Sequence, residues 1–122
     1  MSGPELWVGV LIAGGIGALA RLTADRMVSQ RLVGPFPAGT LVVNGSGAFA
    51  LGLLTGLGVS ANVAVLVGTG LIGAYTTFST WMLETHRLAE DRQAGLALWN
   101  IGGSVAIGVA LAAAGWALGA VI

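Results

Sequence analysis

Residues 32–83 form a run of 52 positions without one charged side chain. Soluble domains interrupt such runs often, because about a quarter of their residues are charged. One membrane crossing needs roughly 20 apolar residues at about 1.5 Å each. The run therefore holds two crossings joined by a tight turn, placed at Val59-Ser60-Ala61-Asn62. Shorter uncharged runs lie on either side of it, 15 residues at 6–20 and 30 residues at 93–122. The expectation is an all-α integral membrane protein with four transmembrane helices at about 5–23, 38–58, 63–85 and 94–119, in one domain covering 1–122.

The charges that remain are grouped. Glu5 precedes the first run, four charges fall between Arg21 and Arg31, and five between Glu84 and Arg92. Only 8% of the chain is charged and the net charge is zero, with all five basic residues arginine. That balance gives no reason to expect nucleic acid as a partner. The absence of cysteine excludes disulfides, thiolate metal sites and thiol nucleophiles. The first apolar stretch meets Arg21 with no basic segment ahead of it, so it is expected to stay in the protein rather than be cleaved as a signal. Fifteen residues reach only about 22 Å, so Arg21 either snorkels or faces protein and water inside the membrane.

Glycine accounts for 21 of 122 residues without a Gly-X-Y period. Small residues let helix backbones approach where water gives no drive to associate. Gly14, Gly15 and Ala18, then Gly45, Ser46, Gly47 and Gly52, then Gly102, Gly103 and Gly108 supply such faces. They serve packing within the chain or between chains. Four short helices cannot enclose a wide pore alone, so an oligomer is the expectation.

Several polar residues lie inside the apolar spans. Thr40 and Asn44 are four apart on one helical face, either to bond a neighbouring helix or to line a polar path. Helix 3 runs Gly68-Thr69-Gly70-Leu71-Ile72-Gly73-Ala74-Tyr75-Thr76-Thr77-Phe78-Ser79-Thr80-Trp81. Glycines followed by hydroxyl residues weaken a continuous helix. A break near residues 73–77 would bare carbonyls, which is tolerated only inside protein or around an ion; a helix merely kinked and packed by its glycines is the alternative. Phe78 and Trp81 share a face, and their positive ring edges either attract an anion weakly or meet lipid and the bundle core. Glu84 follows one turn later, as an interfacial charge or the mouth of the same track. Asn100 and Ser104 line one face of helix 4. Neutral donors dominate this embedded set, which suits a small, strongly hydrated ion and suits proton coupling poorly.

Three runs, Gly14-Gly15-Ile16-Gly17-Ala18-Leu19-Ala20-Arg21, Gly39-Thr40-Leu41-Val42-Val43-Asn44 and Gly70-Leu71-Ile72-Gly73-Ala74-Tyr75-Thr76-Thr77-Phe78-Ser79-Thr80, resemble the Fluc (CrcB) fluoride channels over almost the whole chain. The Thr-Thr-Phe-Ser-Thr run with its upstream glycines is the specific part. The resemblance implies an antiparallel dimer in the cell membrane with two narrow pathways that passively export fluoride and relieve its toxicity. It implies a structural sodium ion at the dimer interface, held by the backbone carbonyls of Gly73 and Thr76. It implies pathway roles for Asn44 and Phe78, and for Arg21, Thr40, Thr80, Glu84 and Ser104 as vestibule and polar track. Trp81 stands where the family has a second phenylalanine, Asn100 where it has a tyrosine, and Gly108 where it has a hydroxyl. Trp81 can still offer a positive edge and an N–H donor.

With four crossings, all five arginines (Arg21, Arg26, Arg31, Arg87, Arg92) belong to loops on one side. The positive-inside rule puts those loops in the cytoplasm and both termini outside. The expected partner is then an oppositely inserted homologue, or the chain itself if Arg21 belongs to the pathway and the bias is too small to orient it. Other functions fit less well. A small multidrug-type exporter needs an acid inside a helix, and Glu5 precedes the apolar run. A membrane assembly or scaffold subunit would not need the polar run of helix 3. An enzyme is not expected, because His86 is the single histidine and lies among charges with no catalytic constellation around it.

Overall fold

The structure, a computed structural model, describes residues 3–122. It is all-helical among those residues, and four helical stretches are long and apolar enough to cross a membrane: Gly3–Arg31, Ala38–Gly56, Ala61–Glu90 and Ala94–Val121. The first, α1, runs past the expected end near residue 23 to Arg31. Arg21, Asp25, Arg26 and Arg31 are all compatible with a helix, and Arg31 in the last turn suits the negative end of its dipole. Gly34, at φ +152°, and Pro35 stop it. Next comes α2 (Ala38–Gly56), which Pro37 precedes.

The turn after α2 comes a little earlier than expected. Gly58 adopts φ +65°, and Ser60 caps the next helix by accepting from the Val63 amide at 3.4 Å. That helix, α3 (61–75), is wound as a π-helix over Ala64–Ile72, a winding that is rare and often found at functional sites. Thr76 is then extended, at φ −81° and ψ 162°. A helix resumes as α4 (Ser79–Glu90). Arg92 ends the next turn with φ 59°, while the Gln93 and Arg92 amides reach back to Leu88 and Ala89. This is the Schellman arrangement, here with arginine where glycine is usual. The last helix is α5 (Ala94–Val121).

The most extensive packing joins α2 to α5, followed by α1 to α3, while α4 packs on α5. The residues at 76–78 therefore pass the third span from one neighbour to another. At the α2–α5 seam a Cβ on Gly52 would overlap the Ala112 carbonyl, and one on Gly115 would overlap the Phe49 carbonyl. Only hydrogen fits at these two positions, and the backbones close on each other accordingly. The buried apolar set is small, with Val43, Ile72, Leu88 and Ala97 prominent, while Trp7, Leu11, Leu19, Trp99 and Trp116 face outward. Such an apolar exterior suits lipid as solvent.

Candidate functional site

Helix α2 presents Asn44 to the non-helical residues between α3 and α4. Its Nδ2 donates to the Thr77 carbonyl at 2.8 Å, and its Oδ1 accepts from the Thr77 amide at 2.8 Å. One asparagine thus satisfies both backbone groups of a residue outside the helices, as buried groups require. The Thr80 amide turns to Thr77 Oγ1 at 3.2 Å. Neither of these two amides closes the helical bond to the carbonyl four residues back, which would be Gly73 for Thr77 and Thr76 for Thr80.

Asn44, Gly73, Thr76, Phe78 and Trp81 come together in one open groove of about 380 Å³, which Thr77 also lines. Phe78 is 69% exposed there, and its ring meets Trp81 edge to face, with centroids 5.7 Å apart and planes at 82°. Behind the groove, Arg21, Thr40 and Thr80 line a smaller cavity of about 70 Å³ with Asp25, Val43 and Thr77. Thr77 lines both spaces, a place not assigned to it from sequence.

Thr40 is fully inside the chain, and its hydroxyl donates to Glu84 Oε1 at 2.5 Å. Glu84 also lines a third, wider cavity of about 440 Å³ beside Arg87 and Asp91. Residues 32–38, Arg87, Asp91 and Gln93 share this cavity, so the first and last interhelical loops meet at one end of the bundle. A polar trail therefore runs from that end through Glu84, Thr40 and Thr77 to Asn44 and Phe78. Ser104 lies apart from these cavities, and its buried hydroxyl has no partner among the described residues.

The Trp81 Nε1–H donates to the Asn100 backbone carbonyl at 2.8 Å, so that donor points into the chain rather than to an ion. Asn100 is completely buried, a position its spacing with Ser104 had placed only on a polar face. Among the small residues, Gly17 packs against Leu71 of α3, whereas Gly15, Gly102 and Gly108 face open space.

The sequence profile of the family described as "CrcB-like protein, Camphor Resistance (CrcB)" matches residues 8–116. The chain is 56% identical over 110 residues to the fluoride-specific ion channel FluC 2 of Mycobacterium tuberculosis (strain ATCC 25618 / H37Rv), covering 90% of this chain and 87% of that one. It is 45% identical over 113 residues to FluC 2 of Moorella thermoacetica, covering 90% and 93%. A third similar protein, FluC 1 of Leifsonia xyli subsp. xyli, is 42% identical over 120 residues, covering 95% and 88%.

Proposed function

This chain belongs to the CrcB family, and from that premise we propose how its residues carry fluoride. It is a multi-pass membrane protein and a fluoride channel, not an enzyme. The reading proposed is passive export from the cytoplasm, relieving fluoride toxicity. Fluoride crossing a bilayer must exchange its water for protein donors. The second N–H of Asn44, the Thr77 hydroxyl and the ring edge of Phe78 supply them in the groove. Thr80 and Arg21 supply them in the cavity behind. Thr40 is bonded to Glu84, so an ion passing there competes with the carboxylate for one hydroxyl. Ser104 stands apart from the groove and the cavity behind it with its hydroxyl buried, so this reading gives it no place among the pathway donors.

The proposed assembly is an antiparallel dimer. The observation that carries it is the openness of the Asn44–Phe78 groove together with the released carbonyls of Gly73 and Thr76. Polar backbone is not left facing lipid, so a second chain covers this groove. Gly73 and Thr76 would then hold a sodium ion at the interface, whose positive charge lowers the cost of bringing anions to mid-membrane.

Fluoride efflux from sodium-containing liposomes holding this chain alone, with chloride as control, tests the reading. Selective fluoride flux is expected if two copies of the chain suffice. Silence from folded chain, cured by adding an oppositely oriented homologue, would make the dimer heteromeric. Silence under both conditions would overturn the channel.

A further inference from the structure

The contact between Trp81 and Asn100 is reciprocal. The Trp81 side chain donates to the Asn100 main chain at 2.8 Å, and Asn100 Nδ2 points back to the Trp81 carbonyl at 3.5 Å. Thr85 closes the set: its hydroxyl donates to the Trp81 carbonyl at 2.9 Å and accepts from Asn100 Nδ2 at 2.9 Å. Because the Thr85 proton is committed to that carbonyl, its oxygen can only accept from Asn100. The amide stands with Nδ2 toward Thr85 and Oδ1 away from it. Asn100 Oδ1 is accordingly the member of the set left without a partner among the described residues. Asn100 and Thr85 are both buried, so water does not compete for these bonds.

We propose that Asn100, acting with Thr85, is a positioning residue for the ion pathway: the two side chains hold the Trp81 main chain against α5, which keeps the indole N–H on the Asn100 main-chain carbonyl, so that Trp81 is a stationary aromatic wall rather than a donor to the ion or a moving gate. This rests on the fluoride-channel reading above. Phe78 stacks edge to face on that wall at 5.7 Å, so the lock fixes the bore beside Asn44 as well. A narrow bore with immobile walls discriminates fluoride from the larger chloride by size, whereas a swinging indole would admit both.

The test uses the full chain labelled with indole ¹⁵N in nanodiscs, with the Trp81 N–H resonance assigned by its loss in W81F. In the wild type this resonance exchanges slowly with D₂O and stays in place as fluoride is raised to saturation. T85V keeps the shape and removes the hydroxyl, and N100A removes the amide. Both variants keep the indole's main-chain acceptor and instead loosen α4 against α5, and each is expected to speed exchange at Trp81 about tenfold as that acceptor drifts out of reach, the ratio for one hydrogen bond. Each also lowers the fluoride-over-chloride flux ratio by about as much while fluoride still passes. T85S, which restores the hydroxyl, behaves as wild type. A fluoride-dependent shift of the Trp81 resonance would make the indole a ligand and overturn the proposal. Wild-type exchange and selectivity in T85V would overturn it also. If the unaltered chain passes no fluoride either alone or with an oppositely oriented homologue, the channel reading falls, and the lock stands or falls on the exchange rates of T85V and T85S.

Discussion

Asn44 holds the residues between α3 and α4 through two bonds of 2.8 Å, to the amide and the carbonyl of Thr77. Asn44→Ala strands both groups, at about 1–3 kcal/mol for each that stays dry. The expected outcome is a lower melting temperature in detergent and fluoride flux reduced at least about tenfold. Asn44→Asp keeps the acceptor for the Thr77 amide but sets a carboxylate oxygen against the Thr77 carbonyl and against any passing anion, so flux is lost outright. Liposome efflux beside thermal melting checks both, and wild-type flux in Asn44→Ala would leave Asn44 a packing residue. The shared face of Thr40 and Asn44 was legible in their spacing of four. Their partners were not. Thr40 bonds Glu84 and Asn44 bonds Thr77, pairs far apart in sequence whose meeting depends on how α2 packs against the third span. The partner of the Trp81 N–H was not legible either, since its acceptor is a main-chain carbonyl on α5, and every residue has one of those.

Uncharged runs locate the helices because a bilayer imposes their length, and the existence of four spans follows from that alone. Their ends do not. Helix α1 continues to Arg31 because arginine and aspartate do not stop a helix, whereas Gly34 and Pro35 do. Small-residue faces were visible too, but which of them form seams depends on how each helix is rotated about its axis. The α2–α5 seam uses Gly52 and Gly115, and leaves Gly102 and Gly108 facing outward. Gly115→Ala is therefore expected to destabilise the chain by about 1–3 kcal/mol, because the new methyl meets the Phe49 carbonyl and lies 2.9 Å from the Leu53 nitrogen. Gly102→Ala, with nothing within 4 Å of its new methyl, leaves the single chain intact. Melting of the two variants side by side separates these effects. Equal melting would mean that α2 and α5 do not close backbone to backbone.

At the scale of the molecule the distribution of charge bears on assembly. Residues 32–38 line the same cavity as Arg87, Asp91 and Gln93, so both arginine-bearing ends of the bundle lie on one side. All five arginines of the chain belong to helices or turns that lead into that end. An antiparallel dimer of identical chains needs insertion in both directions, and a one-sided arginine set favours a single direction. The chain has no cysteine, so one introduced residue reports orientation without background. Gln93→Cys marks the arginine-rich end and Asn62→Cys the first turn of α3, at the opposite end. In intact cells a membrane-impermeant maleimide is expected to label Asn62→Cys and spare Gln93→Cys. That pattern would make the partner in the proposed antiparallel dimer a homologue with the opposite bias, because two copies of this chain would face the same way. Equal labelling at both ends would instead give a chain that inserts both ways. Its arginines would then fail to orient it, Arg21 through its place beside Thr40 and Thr80 in the inner cavity, and the partner would be a second copy of itself.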